Sequence, residues 1–381
     1  MMTCIQAGTV YTGEAIRNDV YLVFSGDRIV GLSASPKGEQ VAECAVLTPA
    51  FIDAHSHIGV HRHGAPGAEC EVNDQLDSIL ALPDVLDSIQ MDDAALRTAA
   101  EFGTLYSCVM PGSANLIGGL SAVIRHLAPT SSEALIARAG IKAALGYNPM
   151  TAKDSKGTRP STRMGELAVL RGRLRAVHAK AARLRRPGRG AAKTDELTPE
   201  EKVLHEVLTG RTLLRVHAHK TDDIAALLRL VDEFGLRVTV EHAMDVARPE
   251  VFRELARRKI PVVYGPVETT ASKTELRNLN WRNARLLIES GVEFGVMTDH
   301  PVTPSWSLLQ QTRCLLRCGL AKQAALETVT RRNAALLGIA DRLGTLAKDK
   351  WASFICWDGD PFDIASRPTA VYAEGQAVFR E

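Results

Sequence analysis

The pattern of apolar and polar positions changes twice along the chain. Up to about residue 49, short runs alternate apolar and polar: Cys4-Ile-Gln-Ala-Gly-Thr-Val, Asp19-Val-Tyr-Leu-Val-Phe and Arg28-Ile-Val-Gly-Leu, with Gly26-Asp27 before the last. Alternation rich in β-branched residues predicts half-buried strands, and Gly-Asp predicts a hairpin turn. The same texture returns in Trp351-Ala-Ser-Phe-Ile-Cys-Trp and in Ala370-Val-Tyr-Ala-Glu-Gly-Gln-Ala-Val-Phe, separated by a turn at Gly359-Asp-Pro. Residues 1–49 and 344–381 are therefore expected to pair into one small sheet domain, since chain ends commonly lie close together. Between them, short apolar runs alternate with amphipathic stretches. A helix from Asp92, with acids in its first turn and Gly103 as its stop, feeds Thr104-Leu-Tyr-Ser-Cys-Val-Met. Asp222–Phe234 leads into Arg237-Val-Thr-Val-Glu-His, Pro249–Arg258 into Pro261-Val-Val-Tyr-Gly, and Asn283–Ser290 into Val292-Glu-Phe-Gly-Val-Met-Thr-Asp. Ala50–His55, Ile141-Lys-Ala-Ala-Leu-Gly and Leu213–His219 bring the strands to seven, and Gly119-Leu-Ser-Ala-Val-Ile-Arg is either the eighth or an insertion. Buried strands each followed by a helix imply parallel βα units, so the class is α/β, with a distorted (β/α)8 barrel over residues 50–343.

Composition narrows the function classes. Hydrophobic residues at 45% and charged residues at 24% of 381 are ordinary globular values and exclude a disordered chain. The 46 basic against 44 acidic residues leave +2, too balanced for nucleic-acid binding driven by net charge. No apolar run is long enough to span a membrane. The start, Met-Met-Thr-Cys-Ile-Gln, lacks the charged-then-apolar order of a signal peptide, so a cytoplasmic location is expected. Seven scattered cysteines without a CxxC pair do not form a disulfide framework, and Cys314 and Cys318, on one helix face, are expected as small buried hydrophobes. Pro160–Arg186 reads as a long helix followed by Arg-Arg-Pro-Gly-Arg-Gly-Ala-Ala-Lys. The basic run is expected as a solvated face, with a lid over Pro187–Lys193 or a dock for an acidic partner as the functional alternatives.

Histidine placement carries the chemistry. Of 11 histidines, eight follow predicted strands: His55, His57, His61, His63, His217, His219, His242 and His300. In a barrel these strand ends share one rim, so residues far apart in sequence converge. Asp53-Ala-His55-Ser-His57 alone is a weak signal. It gains weight from Val-His217-Ala-His219, Glu-His242 and Thr-Asp299-His300-Pro at later strand ends. Two or three imidazoles and one carboxylate, with a coordination position left open, make a catalytic metal site.

These motifs, in this order, resemble the amidohydrolase superfamily, most closely its imidazolonepropionase-like branch, over essentially the whole chain. Gly-Ser-Ala-Asn115-Leu-Ile-Gly-Gly, Asn148-Pro149, Thr162-Arg-Met-Gly165, Leu343–Lys350 and Trp-Asp-Gly-Asp-Pro add to the resemblance. It implies a TIM barrel plus a small β-sandwich formed by both chain ends. It further implies that His55, His57 and His217 hold the metal, zinc or another divalent ion, with Asp299 touching it as general base. His242 would hold a second metal or polarise the substrate carbonyl. The implied reaction is hydrolysis of an amide or cyclic amide C–N bond by a metal-activated water. His219, His61, His63, Asn73, Asn115 and Tyr147 are the expected substrate contacts. Three positions depart from the family pattern. Lys220 stands where ring-deaminating relatives carry an acid, which argues against that chemistry. Lys142 begins its predicted strand and is expected at the wrong end of the barrel to bridge two ions. Gly146-Tyr-Asn-Pro replaces the Gly-Glu-Asn-Pro of close relatives, so one ion is favoured over two. The expected partner is a small molecule or a modified peptide, as in natural-product tailoring, and homo-oligomerisation is compatible with the sequence. A deaminase or cyclic-amidine hydrolase acting on a heterocycle, and a metal-free scaffold, are the alternatives.

Overall fold

The computed structural model describes residues 1–150, 159–184 and 196–381. Four strands open the chain: β1 (Met2–Tyr11), β2 (Ile16–Ser25), β3 (Arg28–Ser33) and β4 (Glu39–Pro49). β1 pairs antiparallel with β2 and parallel with β4, and β2 turns at Gly26-Asp27 into β3, as the alternation predicts.

The chain then builds one eight-stranded sheet in sequence order. Its strands are β5 (Phe51–Ser56), β6 (Thr104–Val109), β7 (Ile117–Arg125), β8 (Leu135–Ala144), β9 (Leu214–Ala218), β10 (Val238–His242), β11 (Val262–Tyr264) and β12 (Phe294–Val296). β5 and β6 pair in parallel, as do β8 through β12, whereas β7 runs antiparallel to both of its neighbours. The segment left open as an eighth strand or an insertion is thus a strand of the barrel, but a reversed one. That reversal is the distortion of the (β/α)8 plan.

Closure is stitched by polar groups between β12 and β5. The Asp53 carboxylate accepts from the Thr298 N–H at 3.1 Å and from the Thr298 hydroxyl. Asn333, on the helix Arg331–Leu336, donates to the carbonyls of Ile52 and Val296 at 2.7 and 2.8 Å. Gly295 is needed for this, because a Cβ there would fall 1.7 Å from Asn333 Oδ1. The outer helices bury one face each. Thr221–Phe234 turns Ile224, Leu227, Leu228 and Leu230 inward and ends on Gly235 at φ 68°, and Pro249–Arg257 buries Phe252 and Leu255. Each such side chain contributes about 2 kcal/mol by leaving water.

The last strands, β13 (Phe354–Trp357), β14 (Pro368–Ala373) and β15 (Gln376–Arg380), join β4 and complete a seven-stranded sheet from both chain ends. Phe24, Phe354 and Tyr372 form its aromatic centre, with the rings of Phe354 and Tyr372 stacked at 4.7 Å. The architecture is the barrel with an appended β-sandwich. Tyr106 of β6 meets Ser353 at 2.7 Å across the joint.

The basic helix Arg163–Leu184 is largely charge-matched. Arg171 and Arg175 pair with Glu233, Arg173 with Glu200, and Lys180 with Glu201. The suggested lid at Pro187–Lys193 lies outside the described residues. Cys314 and Cys318 are buried free thiols. Among the described residues no helix is long and apolar enough to cross a membrane.

Candidate metal centre and active site

β5 is buried along its whole length and ends where the sheet opens onto the rim, so His55 and His57 leave it pointing into the barrel mouth. Each ring is oriented by the hydrogen bond of its Nδ1. His55 Nδ1–H donates to Glu241 Oε2 at 2.9 Å, and His57 Nδ1–H to the Met110 carbonyl at 2.7 Å. Both Nε2 atoms are then lone pairs in the neutral ring. Asp299 Oδ1 lies 3.2 Å from His57 Nε2 and 3.5 Å from His55 Nε2. Acceptor atoms this close call for a cation between them. The fit to a divalent ion therefore rests on donor chemistry as well as on residue type.

A second group faces the first. His217, His219 and His242 bring ligand atoms within 4.8 Å of one another, as do His55, His57 and Asp299. The His217 and His242 rings are 4.3 Å apart, and His55 lies 4.9 Å from His242, so the two groups are contiguous. His242 Nδ1–H donates to the Gly265 carbonyl at 2.9 Å, and its Nε2 is buried without a hydrogen-bond partner among the described residues. Burial, reinforced by neighbouring positive charge, holds His55, His217, His219 and His242 well below the ordinary imidazole pKa, so these rings are in the neutral, ligating form. A neutral His242 with a protonated Nδ1 has no donor to offer a carbonyl oxygen. Of the two roles expected for it, the geometry suits ligand.

His242 and Asp299 end their strands at φ 79° and 53°, a left-handed bend that a non-glycine residue rarely adopts. Such strain concentrates where side chains must be aimed. Burial pushes the Asp299 carboxyl up, but the contact with His57 and the nearby Lys142 ammonium outweigh it and hold the group below the ordinary carboxylate pKa.

Lys142 requires a correction. It does not stand at the wrong end of the barrel: β8 begins at Leu135, so Lys142 lies near its C-terminal end. Its Nζ is 3.0 Å from His55 Nε2 and 3.5 Å from Met110 Sδ, wholly buried and without an ion pair among the described residues. Burial lowers its pKa to about 8. The premise that set it aside as a bridging group no longer holds.

The other expected contacts fall in three places. His219 is in the second histidine group. His61 and His63 sit on the loop over His57, where the His63 ring meets Trp306 edge-on at 6.2 Å and the His63 main-chain N–H donates to Asp93. Asn73 and Asn115 have their amides engaged within the rim itself. Asn73 Oδ1 accepts from Ala114 N–H at 2.9 Å, and Asn115 Nδ2 donates to the Asp74 carbonyl at 2.9 Å while its Oδ1 accepts from Arg159. Tyr147 is 39% exposed at the mouth.

Two groups escaped the sequence reading although their motif was noticed. Glu241 precedes His242 in Val-Glu-His, and Arg215 precedes His217 by two; both are fully buried and paired at 3.2 Å. Arg215 also donates to the Ala139 and Leu336 carbonyls, so a rigid chain Arg215–Glu241–His55 runs from the barrel interior to the site. Glu241→Gln is expected to weaken divalent-ion affinity by about 10- to 100-fold, because the second carboxylate that fixes the His55 tautomer is lost. Competition against a chromophoric chelator measures this, and unchanged affinity would show that the tautomer is fixed elsewhere.

Imidazole, carboxylate and lysine side chains from five strand ends, gathered over the C-terminal mouth of an eight-stranded barrel, define a barrel hydrolase whose ligand groups could hold metal ions. Residues 46–378 match the amidohydrolase family, and the chain belongs to that family and to the hydrolases. It is 30% identical to an amidohydrolase from Thermotoga maritima MSB8, with both chains covered in full and a TM-score of 0.91. It is 26% identical over 363 residues to amidohydrolase tasK of Hapsidospora irregularis, covering 89% of this chain but only 37% of that protein. A prolidase solved with N-methylphosphonate-L-proline shares the fold at 18% identity, TM-score 0.64 and full coverage of both chains.

Proposed function

We propose that the protein hydrolyses a carbon–nitrogen bond of an amide or cyclic amide, outside ordinary peptide bonds, with two divalent ions and zinc as the expected metal. The observation that carries this reading is the meeting of two ligand groups, the first of them touched at His55 by the buried Lys142. His55, His57 and Asp299 would hold one ion, and His217 and His242 the other. Lys142 would bridge them as a carbamate, formed when its neutral amine adds to carbon dioxide and releases one proton. That conversion would replace a buried cation, without an ion pair among the described residues, by an anion beside the imidazoles, and two ions are proposed here in place of the single one favoured by sequence. Ions bound there would acidify a water and polarise the scissile carbonyl. Asp299 directs Oδ1 at His55 and His57, which leaves Oδ2 to take a proton from water and return it to the leaving nitrogen. Near-complete burial of the imidazoles keeps bulk water from the reacting atoms. His219 and Tyr147 remain the candidates for substrate contact.

Small cyclic amides, dipeptide-like amides and modified peptides are the substrate classes to test. Ring deamination is the weaker reading, because Lys220 caps the start of the helix Thr221–Phe234 and offers no acid at that position. Zinc-supplemented protein, dialysed and then assayed for metal content and for turnover of an amide and lactam panel, is expected to retain two ions per chain. Its turnover is expected to vanish on chelation and return with metal. Protein that retains no transition metal after supplementation overturns the proposal.

A further inference from the structure

Beside the second histidine group stands a cation that bond hydrolysis does not use. Lys273 lies on the loop after β11, and its ammonium is held from two directions: Nζ is 2.7 Å from Glu275 Oε1 and donates to Asn148 Oδ1 at 2.9 Å. Glu275 is buried and is itself fixed by the Tyr147 N–H at 2.8 Å. The same Glu275 Oε1 lies 3.8 Å from His217 Nε2, so two short contacts connect the ammonium to the candidate ligand. An ammonium has three donors. Asn148 accepts one of them, Glu275 Oε1 lies close as an ion-pair partner rather than a hydrogen-bond acceptor, and no further protein acceptor is found among the described residues, while the side chain keeps 18% of its surface open to water. Glu275 offsets the desolvation of the ammonium, and the open donor remains for an anion that replaces the water there.

We infer that Lys273 reads a carboxylate on the substrate beside the bond that is cut, so that the substrate class is N-acyl amino acids, dipeptide-like amides among them. The inference rests on the hydrolytic reading above. The distances select this class: an anion gripped at Lys273 sits only a few bonds from a carbon held over His217. An α-carboxylate on the leaving amine is that far from the scissile carbonyl. A lysine that merely strapped the loop after β11 to the loop after β8 would not discriminate between an acid and its amide.

The test compares N-acyl-L-amino acids and dipeptide-like amides with their C-terminal carboxamides, on metal-loaded wild type, Lys273→Met and Lys273→Arg. Wild type is expected to prefer the acids by about 30-fold in kcat/KM, mainly through KM, as one charge-assisted contact implies. In Lys273→Met that ratio falls toward one, the loss on acids exceeding the loss on carboxamides, and Lys273→Arg keeps part of it. Calorimetry of the same compounds on metal-stripped protein is expected to show acids binding wild type more tightly than carboxamides, and Lys273→Met losing the difference. An equal response to acids and carboxamides in wild type, or an unchanged preference in Lys273→Met, overturns the inference. If wild type turns over neither series, the hydrolytic reading fails on this panel, and calorimetry alone still decides the role of Lys273.

Discussion

Asp299→Asn is expected to lower turnover by about three orders of magnitude while the barrel stays folded. The substitution keeps size and shape, and asparagine tolerates the left-handed backbone at φ 53° that this position imposes. The main-chain bonds persist: Asp299 N–H donates to the His55 carbonyl at 3.0 Å, and the Asp299 carbonyl accepts from Val302 N–H at 2.8 Å. What disappears is the negative charge opposite His55, His57 and Lys142, and with it the proton-carrying role proposed for this carboxylate. A carboxamide also makes a weaker metal ligand, so occupancy falls together with kcat. Thermal unfolding, metal content and steady-state kinetics on one preparation separate the effects. Asp299→Ala is the control that distinguishes chemistry from fold, because alanine adds about 1 kcal/mol of backbone strain at this φ. Turnover of Asp299→Asn near the wild-type rate would reject Asp299 as the proton carrier.

How much of this site was legible depends on where the chain signals its own geometry. Strands β5, β9, β10 and β12 lie close to where short apolar runs placed them, because each is buried on both faces and reads as a continuous run. The histidines were legible for the same reason: a polar residue ending such a run has only the barrel mouth to face. Lys142 was not, and the cause is Gly140. A glycine before Ile141-Lys-Ala-Ala reads as a strand boundary. In the structure it is a kink inside β8, at φ 99°, where a Cβ would fall 2.3 Å from the Leu213 carbonyl. Residues Leu135–Arg138 before it pair with β7, which fixes where the strand begins and which end of it Lys142 occupies. A lysine between Ile141 and Ala143 in an otherwise apolar run was the available signal. Arg215 and Glu241 were hidden differently. Each looks like an ordinary polar residue in its strand, and only the parallel pairing of β9 with β10 brings the two charges together. Lys273 and Glu275 lie in a polar loop without periodicity, so only tertiary structure brings them to His217.

Substitution of Lys142 carries the second large effect, and here stability and activity move in opposite directions. Lys142→Met fills the same buried space beside Met110 with an apolar chain of similar length. It removes a wholly buried ammonium that forms no ion pair among the described residues, so the metal-free variant is expected to be at least as stable as metal-free wild type. The metal-loaded comparison reverses. If Lys142 bridges as proposed, its loss would deprive the two imidazole groups of their shared anion, and bound metal is expected to fall from two ions per chain to one or fewer, with turnover dropping by at least about 100-fold. Lys142→Ala distinguishes a lost anion from a lost amine. The space vacated by the side chain admits a short carboxylic acid, so acetate or propionate is expected to restore part of both metal content and turnover, whereas methylamine restores neither. Wild-type protein loaded in carbonate-free buffer should resemble Lys142→Met until bicarbonate is added. If wild type binds a single ion with bicarbonate present, and Lys142→Met binds the same one with unchanged turnover, Lys142 is a structural residue and the two-ion site is wrong.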